Sequence, residues 1–267
     1  MSYTFEDITN PFWAENRGFM TGRDPLGIQN SSVTVYGRLL PGLTNLTERI
    51  RYYSFYCWLL KEYDNLDIES GKKTHAHQYN FVRRAELIIA FLMVIKHPNE
   101  RSVAGSLYAN SHIDEIKNKG FYDIKGGADK PGSELYWGYI SGALGQYYAG
   151  SLINLELIEI VDKFFHIQDG GRKLALAFEE SIPETCRKHF LSLVKSGEIN
   201  HDDIEYIEPF SLNNIPFAGS EWYFLKNMLL ENDGVNLRTR DGAVTTKRRE
   251  SRFIYICHIK MNVLMKK

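Results

Sequence analysis

The chain reads as a mainly α protein: a helical body with a winged-helix-like α+β segment (helix, β-hairpin, helix) near its middle. Three observations lead there. Apolar residues recur at helical spacing through most of the chain after residue 44. Two short apolar runs, 157–161 and 164–167, flank Asp162-Lys163 as the strands of a hairpin flank a tight turn. Glycine and proline fall mainly between the helical stretches and punctuate them. With 267 residues, 43% hydrophobic and 24% charged, the chain can bury a substantial core without disulfides or metals.

The first 43 residues are rich in turn formers, among them Asn10-Pro11, Asp24-Pro25 and Pro41-Gly42, and read as an arm on a helical body. A helical domain is expected over 44–119. Asn45 and Glu48 are spaced like a capping box, so the first helix is expected over 46–63. Leu46, Ile50, Tyr53, Cys57 and Leu60 share one of its faces, and Phe55, Trp58 and Leu59 make the others apolar too, so it is expected to be buried nearly all round. Arg49 and Arg51 sit near its start, where the helix dipole does not favour cations, and are expected to meet a carboxylate or lie at a surface. A second helix is expected over 77–97, closed by Pro98, and a third over 101–118. The stretch 120–132, with four glycines and Pro131, reads as a loop.

The winged-helix-like segment with its following helices is expected over 133–208. It opens on a helix over 133–155 with Ser133 as cap. The hairpin follows, Gln168-Asp169-Gly170-Gly171 turns the chain, and Arg172 begins the next helix, in which Leu174 belongs to the core. Further helices are expected over 184–196, 201–207 and 220–232. A basic helical segment is expected to close the region 220–267 from Thr245 onward; its apolar pattern is unfinished at Leu264, as in a helix that docks fully or a fragment of a longer protein.

The chemistry expected of the chain is spare. Cys57, Cys186 and Cys257 are few, odd in number and without CxxC spacing, which points to a reducing compartment, and no basic-then-apolar leader opens the chain. The longest apolar run, 87–95, is about half of the roughly 20 residues a membrane-spanning helix needs. A cytoplasmic protein without membrane association is the expectation. His75-Ala76-His77 and Cys257-His258 lack metal-ligand spacing, no Gly-rich phosphate-binding order is present, and no GxSxG marks a nucleophile. No metal and no cofactor are therefore expected. One enzymatic alternative survives: Glu115, Asp123 and Lys125 loosely fit the acidic and D-x-K pattern of a divergent metal-dependent nuclease.

Charge gives a more definite lead. The net charge is −1, but residues 235–267 carry nine basic residues (Arg238, Arg240, Lys247, Arg248, Arg249, Arg252, Lys260, Lys266 and Lys267) against Asp241 and Glu250. That end is thus +7 and the preceding 234 residues −8. Such asymmetry fits an anionic partner, DNA first. It also fits a solvated helix face, or a dock for the acidic stretch Asp202, Asp203, Glu205 and Glu208. On the winged-helix reading, Lys163 at the hairpin tip and Arg172 and Lys173 after it join Arg238, Arg240, Lys247, Arg248, Arg249 and Arg252 as candidate DNA-phosphate contacts.

Within residues 36–60, Pro41-Gly42, Thr44, Leu46, Arg49, Arg51 and Tyr52 form an element that resembles one in uncharacterised bacterial proteins encoded beside helicases and nucleases in antiphage defence islands. The resemblance implies a bacterial accessory protein, with a protein partner encoded nearby, and brings no catalytic residue. The expected function is a non-catalytic module that binds DNA or partner proteins. The alternatives are the nuclease and a purely structural subunit of a multi-protein complex.

Overall fold

A computed structural model describes residues 44, 46–67, 73–100, 102–129, 136–228, 237–238 and 244–245. The turn-rich arm over 1–43, the caps Asn45 and Ser133, and most of the basic end lie outside the described residues. The fold is mainly α, with a small α+β segment. Its elements are α1 (Arg51–Asp64), α2 (His75–Lys96), α3 (Ser106–Lys119), β1 (Phe121–Asp123), α4 (Ile124–Ala128), a π-turn (Leu144–Tyr148) continued as α5 (Ala149–Asn154), β2 (Ile158–Val161), β3 (Phe164–Ile167), α6 (Asp169–Glu180), α7 (Glu184–Ser196), β4 (Glu198–Asn200), α8 (His201–Tyr206), a 3₁₀ turn (Glu208–Phe210) and α9 (Ser220–Lys226). Beyond them, β5 (Leu237–Arg238) and β6 (Val244–Thr245) pair antiparallel, so the chain at Thr245 is extended where a helix was expected to begin.

The core is aromatic, and α1 supplies its centre. Tyr52, Tyr53, Phe55, Tyr56, Trp58 and Tyr63 are all buried. Trp58 packs its indole 5.6, 5.8 and 5.2 Å from the rings of Phe178, Phe190 and Phe210, which joins α1 to α6, α7 and the 3₁₀ turn. Phe190 and Phe210 stack on each other at 4.3 Å. On the other side, Tyr52 and Tyr56 both meet Tyr148 of the π-turn. Such ring pairs contribute roughly 0.5–1.5 kcal/mol each beyond the area they bury. The expectation that α1 is apolar all round is met.

Its start differs from the expected one. Thr44 and Thr47 close a local turn: the Thr44 N–H donates to Thr47 Oγ1 (2.9 Å) and that hydroxyl donates to the Thr44 carbonyl (3.2 Å). Side-chain bonds of this kind compete with helix formation, and the helix begins only at Arg51. Glu48 accepts from the Ser102 hydroxyl (2.8 Å) rather than returning a bond to a cap, and Leu46 is exposed. Arg49 and Arg51 meet carboxylates, Glu100 and Glu221 respectively.

The Arg51–Glu221 pair is fully buried. The guanidinium also donates to the carbonyls of Pro209 and Ser211, and Ser54 and Ser181 donate to Glu221. Burial pulls the Arg51 pKa below its ordinary value, with Glu221 opposing that pull. A buried ion pair needs these extra bonds to offset its desolvation; here they bind α1, the turn after α6, the 3₁₀ turn and α9 at one point.

A second buried carboxylate explains where the next helix begins. Glu86 of α2 has no exposure, and each of its oxygens takes one tyrosine hydroxyl and one backbone amide. Oε1 accepts from Tyr56 (2.9 Å) and the Leu144 N–H (2.7 Å); Oε2 accepts from Tyr136 and the Ala143 N–H (3.0 Å). The helix expected over 133–155 therefore starts at Gly142, capped by a residue of another helix. Gly142 has φ +69°, and a Cβ there would strike the Glu86 carboxylate. Only glycine meets both demands cheaply.

The stretch 120–132, expected as a loop, is structured up to residue 129. Tyr122 is buried against Phe91 (4.6 Å between centroids), β1 pairs antiparallel with β4, and Asp123 caps α4 through the Gly126 N–H (3.1 Å).

The hairpin is as expected. β2 and β3 pair in the register Ile158↔Ile167 to Val161↔Phe164. Asp162 (φ +49°) and Lys163 (φ +71°) form a two-residue turn with both residues left-handed, the geometry that matches strand twist. Gly170 and Gly171, expected to turn the chain, lie inside the first turn of α6. A Cβ on Gly171 would collide with the Leu157 carbonyl, so this glycine serves close packing of helix on strand. α7 matches its expected bounds. Among the described residues no helix is long and apolar enough to cross a membrane.

Candidate interaction surfaces

Lys163 is exposed at the hairpin tip, but the tip is clamped to α2. Tyr79 donates to the Lys163 carbonyl, and buried Gln78 pairs with both backbone groups of Phe165: its Nε2 donates to the carbonyl (2.8 Å) and its Oε1 accepts from the N–H (2.9 Å). One glutamine thus replaces a neighbouring strand. Arg172 and Lys173 are exposed in the first turns of α6. Arg172 leans toward Asp64 at the end of α1 (3.8 Å), while Lys163 sits over α2, so the three cations do not converge on one contact. Between residues 156 and 173 the same unit carries Glu156, Glu159, Asp162 and Asp169, giving this stretch a net charge of −1. The wing by itself supplies no positive field.

The nuclease candidates occupy α3, β1 and α4. Glu115 pairs with Lys119 one turn on (2.8 Å), Asp123 is the cap of α4, and the Lys125 chain lies over Gly197, where a Cβ would strike it. Each has a local role. Among the described residues no group of three His, Cys, Asp or Glu side chains is placed to hold a metal ion. His75 and His77 diverge, His75 toward the rings of Tyr79 and Phe164 and His77 toward the Tyr63 hydroxyl (3.2 Å). Cys57 is buried, and burial raises its thiol pKa far above the ordinary value, as expected of a core thiol.

Of the basic cluster, Arg240, Lys247, Arg248, Arg249 and Arg252 lie outside the described residues, and Arg238 is described only as part of β5. The acidic stretch proposed as its internal dock is described, and it is largely committed. Asp203 closes a capping box with Asn200 and bonds His189 Nε2 (2.7 Å); Glu205 (2.5 Å) and Glu208 (3.3 Å) both pair with Lys96.

One surface escaped sequence reasoning. Phe217 is 77% exposed and Tyr223 50% exposed, and both rings lean edge-on against Trp222, at 5.1 and 5.0 Å. The sequence marks Ser220-Glu221 as a helix start but contains no signal that the rings beside it face solvent. No protein-family model, curated protein or solved structure matches the chain.

Proposed function

We propose that the chain is a non-catalytic nucleic-acid-binding module that contacts phosphates through its basic end, residues 235–267. The observation that carries this reading is the commitment of the acidic stretch: three of its four carboxylates already serve His189 or Lys96. That favours an outside anion over an internal dock for the +7 segment. The charge-balanced wing gives Lys163, Arg172 and Lys173 a secondary part. The resemblance of residues 36–60 to defence-island proteins supports a cytoplasmic, accessory role in a bacterial antiphage system, alongside a protein partner.

Binding of the full chain to labelled DNA, followed by anisotropy across a salt series, tests the proposal. Affinity is expected to fall steeply with salt as counterions are released. A Lys247→Ala/Arg248→Ala/Arg249→Ala variant is expected to flatten the log–log slope by about one for each phosphate that is no longer neutralised. No binding at low salt, or an unchanged slope in the variant, would refute it and leave a protein partner as the function to pursue.

A further inference from the structure

We infer that Phe217 and Tyr223 form a stacking platform for unpaired bases, which makes single-stranded nucleic acid the preferred ligand; the inference rests on the phosphate-binding reading above and adds the type of strand. Both rings are largely out in solvent, where burial of each would otherwise contribute to stability. Neither is loose. Each meets Trp222 edge to face, so one indole fixes the attitude of both rings. The turn before the helix holds Phe217 outward: Ala218 is left-handed (φ +60°) and the Gly219 N–H closes on the Pro216 carbonyl (3.1 Å).

The support beneath is rigid. Glu221, next to Trp222, is the buried partner of Arg51, so α9 is pinned to the core one residue from the platform. Lys226 lies over the Trp222 ring (5.5 Å), and nine residues later the +7 segment starts. Aromatic faces beside a basic track are the arrangement by which proteins hold single strands: the rings stack bases and the cations follow the backbone. A duplex keeps its bases stacked inside and offers the rings nothing, so the platform discriminates where the basic track does not.

The test compares the full chain with a Phe217→Ala/Tyr223→Ala variant on labelled oligothymidylate, oligouridylate and a DNA hairpin duplex; the first two separate DNA from RNA. The wild type is expected to prefer the single strands. The variant should lose about tenfold or more of that affinity, keep its duplex affinity, and keep the wild-type melting temperature because both rings are exposed; Tyr223→Phe should retain binding. Photo-crosslinking to bromodeoxyuridine strands should mark the peptide carrying residues 217–223. Wild-type binding that the double variant leaves unchanged, or crosslinks only elsewhere, overturns the platform while the phosphate reading stands. No binding of any strand at low salt overturns both and reassigns the rings to a protein contact.

Discussion

Replacing Glu86 by Gln probes the most constrained site in the core. Each carboxylate oxygen accepts one tyrosine hydroxyl and one backbone amide. A glutamine keeps one oxygen and puts an NH₂ in place of the other. The hydroxyl facing that NH₂ can rotate and accept from it; the Ala143 or Leu144 N–H cannot. One buried amide is left unpaired, at a cost of about 1–3 kcal/mol. Relief of the buried charge offsets part of this, so the expected net loss is about 1–2 kcal/mol, or about 2–8 °C in melting temperature for a chain this size. The pH dependence follows from burial, which raises the Glu86 pKa above its ordinary 4.5 against the pull of its four donors. A carboxyl whose folded pKa is raised contributes its full stability below the unfolded value and loses it as pH rises through the folded one. The wild-type advantage over Glu86→Gln should therefore be larger in mild acid than at neutral pH. Urea titrations of both proteins at a series of pH values measure it. A variant as stable as the wild type throughout would refute the four-donor arrangement.

Arg51→Met should cost about 3–5 kcal/mol, because it leaves the Glu221 carboxylate buried without its cation; adding Glu221→Leu should recover part of that, and strictly additive losses in the urea-denaturation cycle would show the two are not coupled. Gly171→Ala should destabilise by about 3 kcal/mol, the upper end of overpacking, since the obstacle is the Leu157 backbone carbonyl; hydrogen exchange should show the hairpin amides losing protection, and unchanged protection would contradict the packing. Burial raises the pKa of Tyr52, Tyr56, Tyr136 and Tyr148 above the ordinary 10. Their share of stability is full below pH 10 and lost as pH rises beyond it; near-UV titration should show tyrosinate forming later in the native than in the urea-unfolded chain.

The hairpin, α7 and the bulk of α1 and α2 were legible because their signals are local. A turn dipeptide between β-formers, an all-apolar helix and a closing proline act within a few residues of where they stand. The misreadings share a different cause. The start of α1 yielded to a threonine turn whose neighbours, Glu48 and Arg49, are drawn to Ser102 and Glu100 some fifty residues away. Gly170-Gly171 looks like a turn in sequence, and only the Leu157 carbonyl across the gap shows why glycine is needed in a helix.

Sequence alone determined the fold class, the helix–hairpin–helix order, the inert core thiol at Cys57 and the uneven charge along the chain, since each depends on residue types and their spacing. The tertiary structure decided which polar groups are spent inside the fold and which are left facing out. Glu86 caps a helix that begins 56 residues later, Glu221 neutralises Arg51 from 170 residues away, and Lys96 takes up Glu205 and Glu208. Phe217 and Tyr223 look no different in sequence from the buried rings of α1. Exposure is set by what the rest of the chain packs against a residue, and no local pattern contains that.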